Sequence, residues 1–465
     1  MFGTSGVRGP VGETITAATA LSVGRALPSC GYETVVVGRD PRETGPTLVD
    51  ALAAGVRECG GDVIELGLAA TPTVARAVGW HDADAGVAVT ASHNPAPDNG
   101  IKLWRPDGQA FDESRRAEIA DRVAADDYEF AAWDAFGERR AVDDATATHR
   151  DALVAHVREL FTDETTGGDT TTTAGEPLSE TVVVDVGNGA GQVTAAALDR
   201  LGCDVQTLNG QPDGRFPGRP SEPTADNCKL LQTTVAESAA TVGIAHDGDA
   251  DRMRAVDESG TFLAGDDLLA IFARAATEPG DTVAVPVDTS LAVADTLAER
   301  DVSVRRTAVG DVFVAQATAD DHVTFGGEPS GAWIWPTETR CPDGPLAACR
   351  LVALVAREGP LSGLAAGVAS YPIRRENVET DRKAAVVDGV AELVADRYPA
   401  SAVDRLDGVR VETDAGWFLV RASGTQPLVR VTAEARDADE ADALLATATG
   451  LVERAQATAT ERDAS

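Results

Sequence analysis

Residues 85–104 read AGVAVTASHNPAPDNGIKLW. The apolar run 86–90 has strand character, 91–100 is rich in Ser, Asn, Pro, Asp and Gly, and 101–104 resumes as a second strand. Ser92 therefore falls just past a strand end, where α/β sheets hold their ligands. His93, Asn94 and Lys102 supply polar groups around it. The same composition would suit a plain surface turn, so the rest of the chain has to decide between the two.

Upstream, strands over 34–38 and 62–66 alternate with helices over 16–27, 45–59 and 71–78. That rhythm predicts a largely parallel sheet with helices on both faces. Residues 3–9, GTSGVRG, set three glycines around Arg8. Backbone N–H groups of such a run can approach an anion closely and a guanidinium can fork a phosphate, although a tight turn needs no more than the glycines.

Downstream, 162–180 is Thr-, Gly- and Glu-rich with few apolar residues, and reads as a mobile linker. A second α/β unit opens with a strand over 181–186 and the turn Gly187-Asn188-Gly189-Ala190-Gly191. The turn imitates a dinucleotide-binding fingerprint, but its third glycine comes one residue early, so a close strand-to-helix turn is the better reading. After a strand over 241–246 comes DGDADR, residues 247–252. Carboxylates at alternate positions repel one another unless a cation lies between them, and Asp247, Asp249 and Asp251 suit a hard ion such as Mg²⁺. A calcium loop of EF-hand type is a rival, since Glu258 holds its twelfth position. Against it, Arg252 replaces the sixth-position glycine and strands flank the loop.

A third unit carries GGEPSG at 326–331, again beyond a short apolar run, where Glu328 and Ser330 could bind sugar hydroxyl or amine groups. Three units of one architecture would thus each present a loop from a strand's C-terminal end. From about 361 the rhythm changes to a smaller α+β unit. Its loop Arg421-Ala422-Ser423-Gly424-Thr425-Gln426, with Arg430, holds the parts of a phosphate clamp. The fold class expected is α/β: three similar domains with mixed, mainly parallel sheets, plus a C-terminal α+β domain, around a central cleft. The divisions are set at 1–148, 149–253, 254–362 and 363–465.

A chain of 465 residues is too long for one core. Its formal charge of −35 repels nucleic acid and anionic membranes. Lys occurs only at 102, 229 and 383; so acid-rich and lysine-poor a composition resembles proteins of salt-accumulating microbes. The six cysteines are scattered without a C-x-x-C pair, so buried free thiols are expected. No apolar run is long enough for a membrane span and no leader is visible, which points to a soluble, cytoplasmic protein.

With the four loops in view, the chain resembles the α-D-phosphohexomutase family over essentially its whole length. The matching segments are FGTSGVRG at 2–9, TASHNP at 90–95, DGDADR at 247–252, GEPSG at 327–331 and RASGTQP at 421–427. The resemblance implies four domains around one cleft and a phosphoserine that exchanges phosphoryl groups with a hexose phosphate. Carried over, Ser92 is the phosphorylated nucleophile, and Asp247, Asp249 and Asp251 bind one Mg²⁺ together with its phosphate. Arg8 and Lys102 assist proton transfer and spread charge. Glu328 and Ser330 hold sugar hydroxyls, with His93 and Arg252 also facing the substrate, and Arg421, Ser423, Gly424, Thr425 and Arg430 grip the distal phosphate.

A hexose 1,6-bisphosphate is implied as intermediate and activator, and a monomer or homodimer is expected. Three positions depart from the usual pattern. Ala332 stands where many relatives have His, Gln426 where Glu is usual, and Val312 where Arg often follows Gly310-Asp311. Within the family, residues 98–102 and the opening FGTSGVRG look most like archaeal phosphoglucosamine mutases. That favours interconversion of glucosamine 6-phosphate and glucosamine 1-phosphate. Phosphomannomutase or phosphoglucomutase activity of broad hexose specificity is the alternative, with a phosphopentomutase more remote. A non-catalytic sugar-phosphate sensor and a phosphatase are readings from other classes, and the intact Ser92, Lys102 and three aspartates argue against the sensor.

Overall fold

The computed structural model describes residue 3 and residues 6–160, 178–423 and 426–464. Most of the expected 162–180 linker, and Gly424 and Thr425 of the clamp loop, lie outside the described residues.

The first unit is a six-stranded sheet of order β1-β5-β4-β2-β3-β6. Its strands are β1 (Val7–Pro10), β2 (Thr34–Arg39), β3 (Asp62–Leu68), β4 (Ala85–Val89), β5 (Asp98–Trp104) and β6 (Arg139–Ala141), with helices α1 (Ala17–Ser29), α2 (Gly45–Glu58), α3 (Thr71–Trp80) and α4 (Glu113–Ala125). The run Val35-Val36-Val37 is fully buried, as a strand covered by helices on both faces must be. Helix α5 (Ala145–Leu160) then leads out of the unit.

The second sheet has order β10-β9-β7-β8, from β7 (Thr181–Asp185), β8 (Asp204–Leu208), β9 (Val242–His246) and β10 (Met253–Asp257), with α6 (Gln192–Leu201) and α7 (Lys229–Ala236). The third has order β12-β11-β13-β14, from β11 (Thr282–Pro286), β12 (Ser303–Thr307), β13 (Val323–Gly327) and β14 (Trp333–Ile334), with α8 (Gly265–Ala276), α9 (Leu291–Ala298), α10 (Asp311–Ala317) and α11 (Gly344–Glu358).

The three units share one plan. A central strand (β2, β7, β11) lies parallel to two neighbours, and one of those (β4, β9, β13) turns back into an antiparallel strand (β5, β10, β14). The turn between that last pair carries Ser92 in the first unit, Asp247–Asp251 in the second and Glu328–Ser330 in the third. The second and third units also share one core, in which Val182, Ile244 and Met253 join Phe325, Trp333 and Leu351.

After α12 (Leu361–Ala366), the C-terminal unit is a wholly antiparallel sheet, β15-β19-β18-β17-β16. It comprises β15 (Ile373–Glu379), β16 (Val403–Asp404), β17 (Val409–Glu412), β18 (Gly416–Ala422) and β19 (Leu428–Ala435), packed against α13 (Lys383–Ala395) and α14 (Ala438–Ala464). It docks on the third unit through the buried carboxylate of Glu434. That group accepts from Ser290 Oγ at 2.5 Å, the Leu291 amide at 2.7 Å and Trp417 Nε1 at 2.7 Å.

The break set at 148/149 falls inside α5, the one at 253/254 inside β10 and the one at 362/363 inside α12. Strand β10 pairs with β9 from Met253 to Asp257, so the second unit runs on through that hairpin. Within the 3–9 segment, residues 7–9 belong to strand β1, paired antiparallel with β5. All six cysteines are free thiols, four buried and two half-buried. No helix among the described residues is long and apolar enough to cross a membrane.

Candidate active site

Ser92 lies three residues past the end of β4, with φ of +51°. A non-glycine residue holds that left-handed conformation only where its surroundings impose it, and here they do. The Ser92 amide donates to Thr90 Oγ1 at 2.8 Å, and Thr90 in turn donates to Asp40 Oδ2 at 2.7 Å. Arg42, fully buried, pairs with Asp40 at 2.9 Å. Its remaining guanidinium hydrogens go to the carbonyls of Ser92 (2.9 Å), Asn94 (2.7 Å), Pro95 (2.6 Å) and Asp98 (2.8 Å). Sequence reasoning passed over Arg42, because its partners are backbone oxygens some fifty residues away that no side-chain pattern announces.

The Ser92 hydroxyl donates to Asp247 Oδ2 at 2.6 Å, and His93 Nδ1 lies 3.4 Å from it. Asp247, Asp249 and Asp251 are all buried, and each offers a carboxylate oxygen to a common point, those oxygens lying within 4.8 Å of one another. Lys102, on β5, reaches Asp249 Oδ2 at 3.0 Å and Asp251 Oδ2 at 2.5 Å. Thr71, opening α3, donates its hydroxyl to Asp249 Oδ2 at 2.7 Å and its amide to the Asp249 carbonyl at 2.9 Å.

The second oxygens, Asp249 Oδ1 and Asp251 Oδ1, are buried and without a hydrogen-bond partner among the described residues. Orphaned anionic oxygens in a dry site are costly, and their convergence fits a hard divalent cation of the Mg²⁺ kind. The titration pattern agrees. Burial, then Asp251 and Asp249, push Asp247 well above the usual carboxylate range. Burial works the same way on Asp249, but Lys102, Thr71 and Arg8 outweigh it and hold that group below the range. Burial opposes the Lys102 charge, yet Asp249 and Asp251 overcome it and raise the ammonium above its ordinary value. His93 is driven down to about 2 by burial and by Arg252, Arg8 and Lys102, so its imidazole is neutral.

Arg8 lies on β1 opposite Gly100, half-buried, and its charge acts on His93, Lys102 and Asp249. Arg252 is half-buried, with Asp247, Asp251, Glu328 and Asp311 outweighing the desolvation that would lower it. It also ties the second and third loops together. Its amide donates to Asp247 Oδ1 at 3.2 Å, and it forms a β-bridge with Ala332, whose carbonyl takes the Glu328 amide at 2.9 Å. Glu328 accepts from the Gly310 amide at 2.7 Å and from Ser330 Oγ at 3.2 Å. Burial, then Asp311, push its carboxyl up to about 7.

The fourth loop joins the line through Asp407, which accepts from the Val309 amide at 3.2 Å and from Arg421 at 3.3 Å. Ser423 is buried, its amide on the Leu428 carbonyl at 2.9 Å, and Lys383 Nζ takes the Ser423 carbonyl at 2.5 Å. Arg430 stands opposite Arg421 in the β18–β19 ladder, exposed.

Two rival sequence readings find no support here. The Gly187–Gly191 turn packs against the acidic loop, the Ala190 amide donating to the Gly248 carbonyl at 3.0 Å, which gives the glycines a structural use. Glu258, which a calcium loop would need, instead accepts from the Ser362 hydroxyl and amide.

Three α/β units and one α+β unit, linked loop to loop around a buried acidic centre, define a multidomain α/β enzyme. Models of the phosphoglucomutase/phosphomannomutase family match the chain in sequence, its α/β/α domain I at residues 1–130, domain II at 160–260, domain III at 264–371 and C-terminal domain at 376–449. A protein of Methanococcoides burtonii named "Probable phosphoglucosamine mutase" is 42% identical over 458 residues, 98% of this chain and 99% of the relative. One of the same name from Methanopyrus kandleri is 44% identical over 448 residues, 95% of each chain. The crystal structure of a phosphoglucomutase/phosphomannomutase family protein from Burkholderia thailandensis superposes with a TM-score of 0.82 at 27% identity, covering 99% of this chain and 98% of that one. The chain belongs to the phosphoglucomutase/phosphomannomutase family, the α-D-phosphohexomutases.

Proposed function

We propose that the protein interconverts glucosamine 6-phosphate and glucosamine 1-phosphate, with Ser92 as the phosphoryl carrier. The observation that carries this reading is the Ser92 hydroxyl 2.6 Å from Asp247, inside a buried acidic trio that Lys102 enters from the neighbouring unit. Relatives 42% and 44% identical along nearly the whole chain carry the phosphoglucosamine mutase name, which favours the amino sugar.

In the first half-reaction the bond from phosphorus to Ser92 Oγ breaks and one to a sugar hydroxyl oxygen forms, the hydroxyl proton ending on Ser92 Oγ. The second runs this exchange in reverse at the sugar's other phosphate, the Ser92 proton passing to the freed sugar oxygen. The resulting 1,6-bisphosphate turns over and returns its other phosphoryl group to Ser92. Asp247, Asp249 and Asp251 would hold Mg²⁺, which supplies charge neutralisation beside the phosphoryl oxygens. Lys102, kept an ammonium by Asp249 and Asp251, and Arg8 add fixed positive charge where the loose transition state needs it. Neutral His93 contributes a hydrogen bond without adding to that charge. Glu328 and Ser330 hold sugar hydroxyls, and the 421–430 loop takes the non-reacting phosphate in either orientation.

Broad hexose specificity is the second reading, favoured by Ala332 and Val312, small apolar residues where many relatives have His and Arg. A coupled assay with glucosamine, glucose and mannose 6-phosphates on one preparation tests the two. Preference for glucosamine by about tenfold or more in kcat/KM supports the first reading. Equal rates support the second.

A further inference from the structure

The segment 213–221 of the second unit has no catalytic chemistry, yet it is built into both loops of the reacting centre. On the side of the acidic loop it is anchored by Arg219, which pairs with Asp185 at 2.6 Å and donates to the carbonyl of His246 at 2.6 Å, one residue before Asp247. The Asp213 amide donates to the Asn188 carbonyl at 2.9 Å, and the Gly218 amide to Asn188 Oδ1 at 3.0 Å.

On the other side the segment lies against the Ser92 loop. Gly214 sits directly on the Pro41–Arg42 backbone, where a Cβ would stand 2.4 Å from Arg42 Cα. Arg215 pairs with Glu43 at 2.7 Å, and the Phe216 ring lies 5.0 Å from the Arg42 guanidinium. Phe216 has φ of +51°, a strained conformation that such packing holds in place. Ser221 Oγ donates to the Ser92 carbonyl at 2.8 Å, the oxygen that Arg42 also reaches at 2.9 Å. Gly248 closes the junction, since a Cβ there would meet Ser221 Oγ at 2.6 Å and the Ser92 carbonyl at 2.7 Å.

We propose that residues 213–221 form a positioning clasp, in which Ser221 and the Phe216-covered Arg42 fix the Ser92 backbone so that its hydroxyl meets the acidic trio at reacting distance. The physical reason is that Ser92 and the trio lie on different units, so their separation depends on contacts that cross between the units. Thr71 and Lys102 hold the trio, and the clasp holds the Ser92 backbone itself. Misplacement by about 1 Å costs roughly a hundredfold in rate. The clasp rests on Ser92 being the phosphoryl carrier, and its test separates the two.

The full-length protein is compared with Ser221→Ala, Ser221→Thr, Arg42→Lys and Ser92→Ala. The readouts are kcat, KM, the denaturation midpoint, and phosphorylation of the Ser92 peptide by a hexose 1,6-bisphosphate, followed by mass spectrometry. The clasp predicts that Ser221→Ala lowers kcat and the rate of Ser92 phosphorylation together, by roughly tenfold or more, with KM changed less than about twofold. It also predicts that Ser221→Thr restores most of the rate. Should Arg42→Lys not fold, the Ser221 pair still decides. Normal kcat in Ser221→Ala overturns the clasp, as does a loss that merely follows a lowered denaturation midpoint and is not restored by Thr. An active Ser92→Ala, with no phosphate on the wild-type peptide, refutes the carrier reading itself.

Discussion

Lys102 Nζ lies 2.5 Å from Asp251 Oδ2, an ion pair that crosses from the first unit to the second at the centre of the site. Both groups are buried, so desolvation offsets much of their attraction, but removing one partner leaves an uncompensated buried charge. In the metal-free protein Lys102 is the cation nearest the trio's oxygens that the described contacts record.

Lys102→Met is therefore expected to destabilise the metal-free protein by about 3–5 kcal/mol. Added Mg²⁺ should recover most of that loss and bind more tightly than to the wild type, because it no longer competes with an ammonium. Calorimetric titration with Mg²⁺ and melting with and without the ion measure both effects. Weaker Mg²⁺ binding in the variant would mean that Lys102 does not share the cation site.

Glu328 gives a pH dependence with a definite sign. Its carboxyl is raised from 4.5 to about 7, by burial first and then by Asp311. Between those values the folded state holds more protons than the unfolded one, so stability falls as pH rises through the window. Denaturant titrations of the metal-free protein from pH 5 to about 8 should show that fall, and Glu328→Gln should flatten it. An identical slope in both proteins would contradict the assignment.

Glu434 holds the C-terminal unit to the third, with Ser290, Leu291 and Trp417 all donating to it. Glu434→Ala leaves these donors without their acceptor and should cost about 2–4 kcal/mol, a buried donor left unsatisfied costing 1–3. KM for the sugar phosphate should rise as Arg421 loses its fixed place beside Asp407 and Val309. Thermal melts and steady-state kinetics on the same preparation are the check.

Net charge makes a fourth prediction. With 75 acidic against 40 basic residues, self-repulsion opposes compaction, and salt screens it. Raising KCl from about 0.1 to 1 M shortens the screening length from about 10 to 3 Å and should raise Tm by several degrees. A Tm insensitive to salt would remove charge repulsion as a factor.

What the chain disclosed in advance follows from how its information is laid out. Ser92, the 247–252 acidic run and the Glu328 loop each sit in a few contiguous residues after an apolar strand, so both their chemistry and their place at a strand end could be read. The return strands were harder. Met253–Asp257 looks like the start of a new unit until its pairing with Val242–His246 is known, and Val7–Pro10 is hidden among glycines until β5 lies beside it. Arg42 and the 213–221 segment gave no local signal, because their partners are backbone carbonyls and a ring supplied by distant parts of the chain. Ion pairs between units, such as Lys102 with Asp251, depend on how finished units dock, which no window of sequence contains.

The most direct test is the mass of the peptide bearing Ser92 after the protein has been incubated with a hexose 1,6-bisphosphate and Mg²⁺. The account predicts one added phosphoryl group on Ser92, lost again when glucosamine 6-phosphate is supplied, and no such gain in Ser92→Ala, which should also lose several orders of magnitude in turnover. An unmodified peptide from a fully active enzyme, or a Ser92→Ala variant that turns over normally, would contradict it.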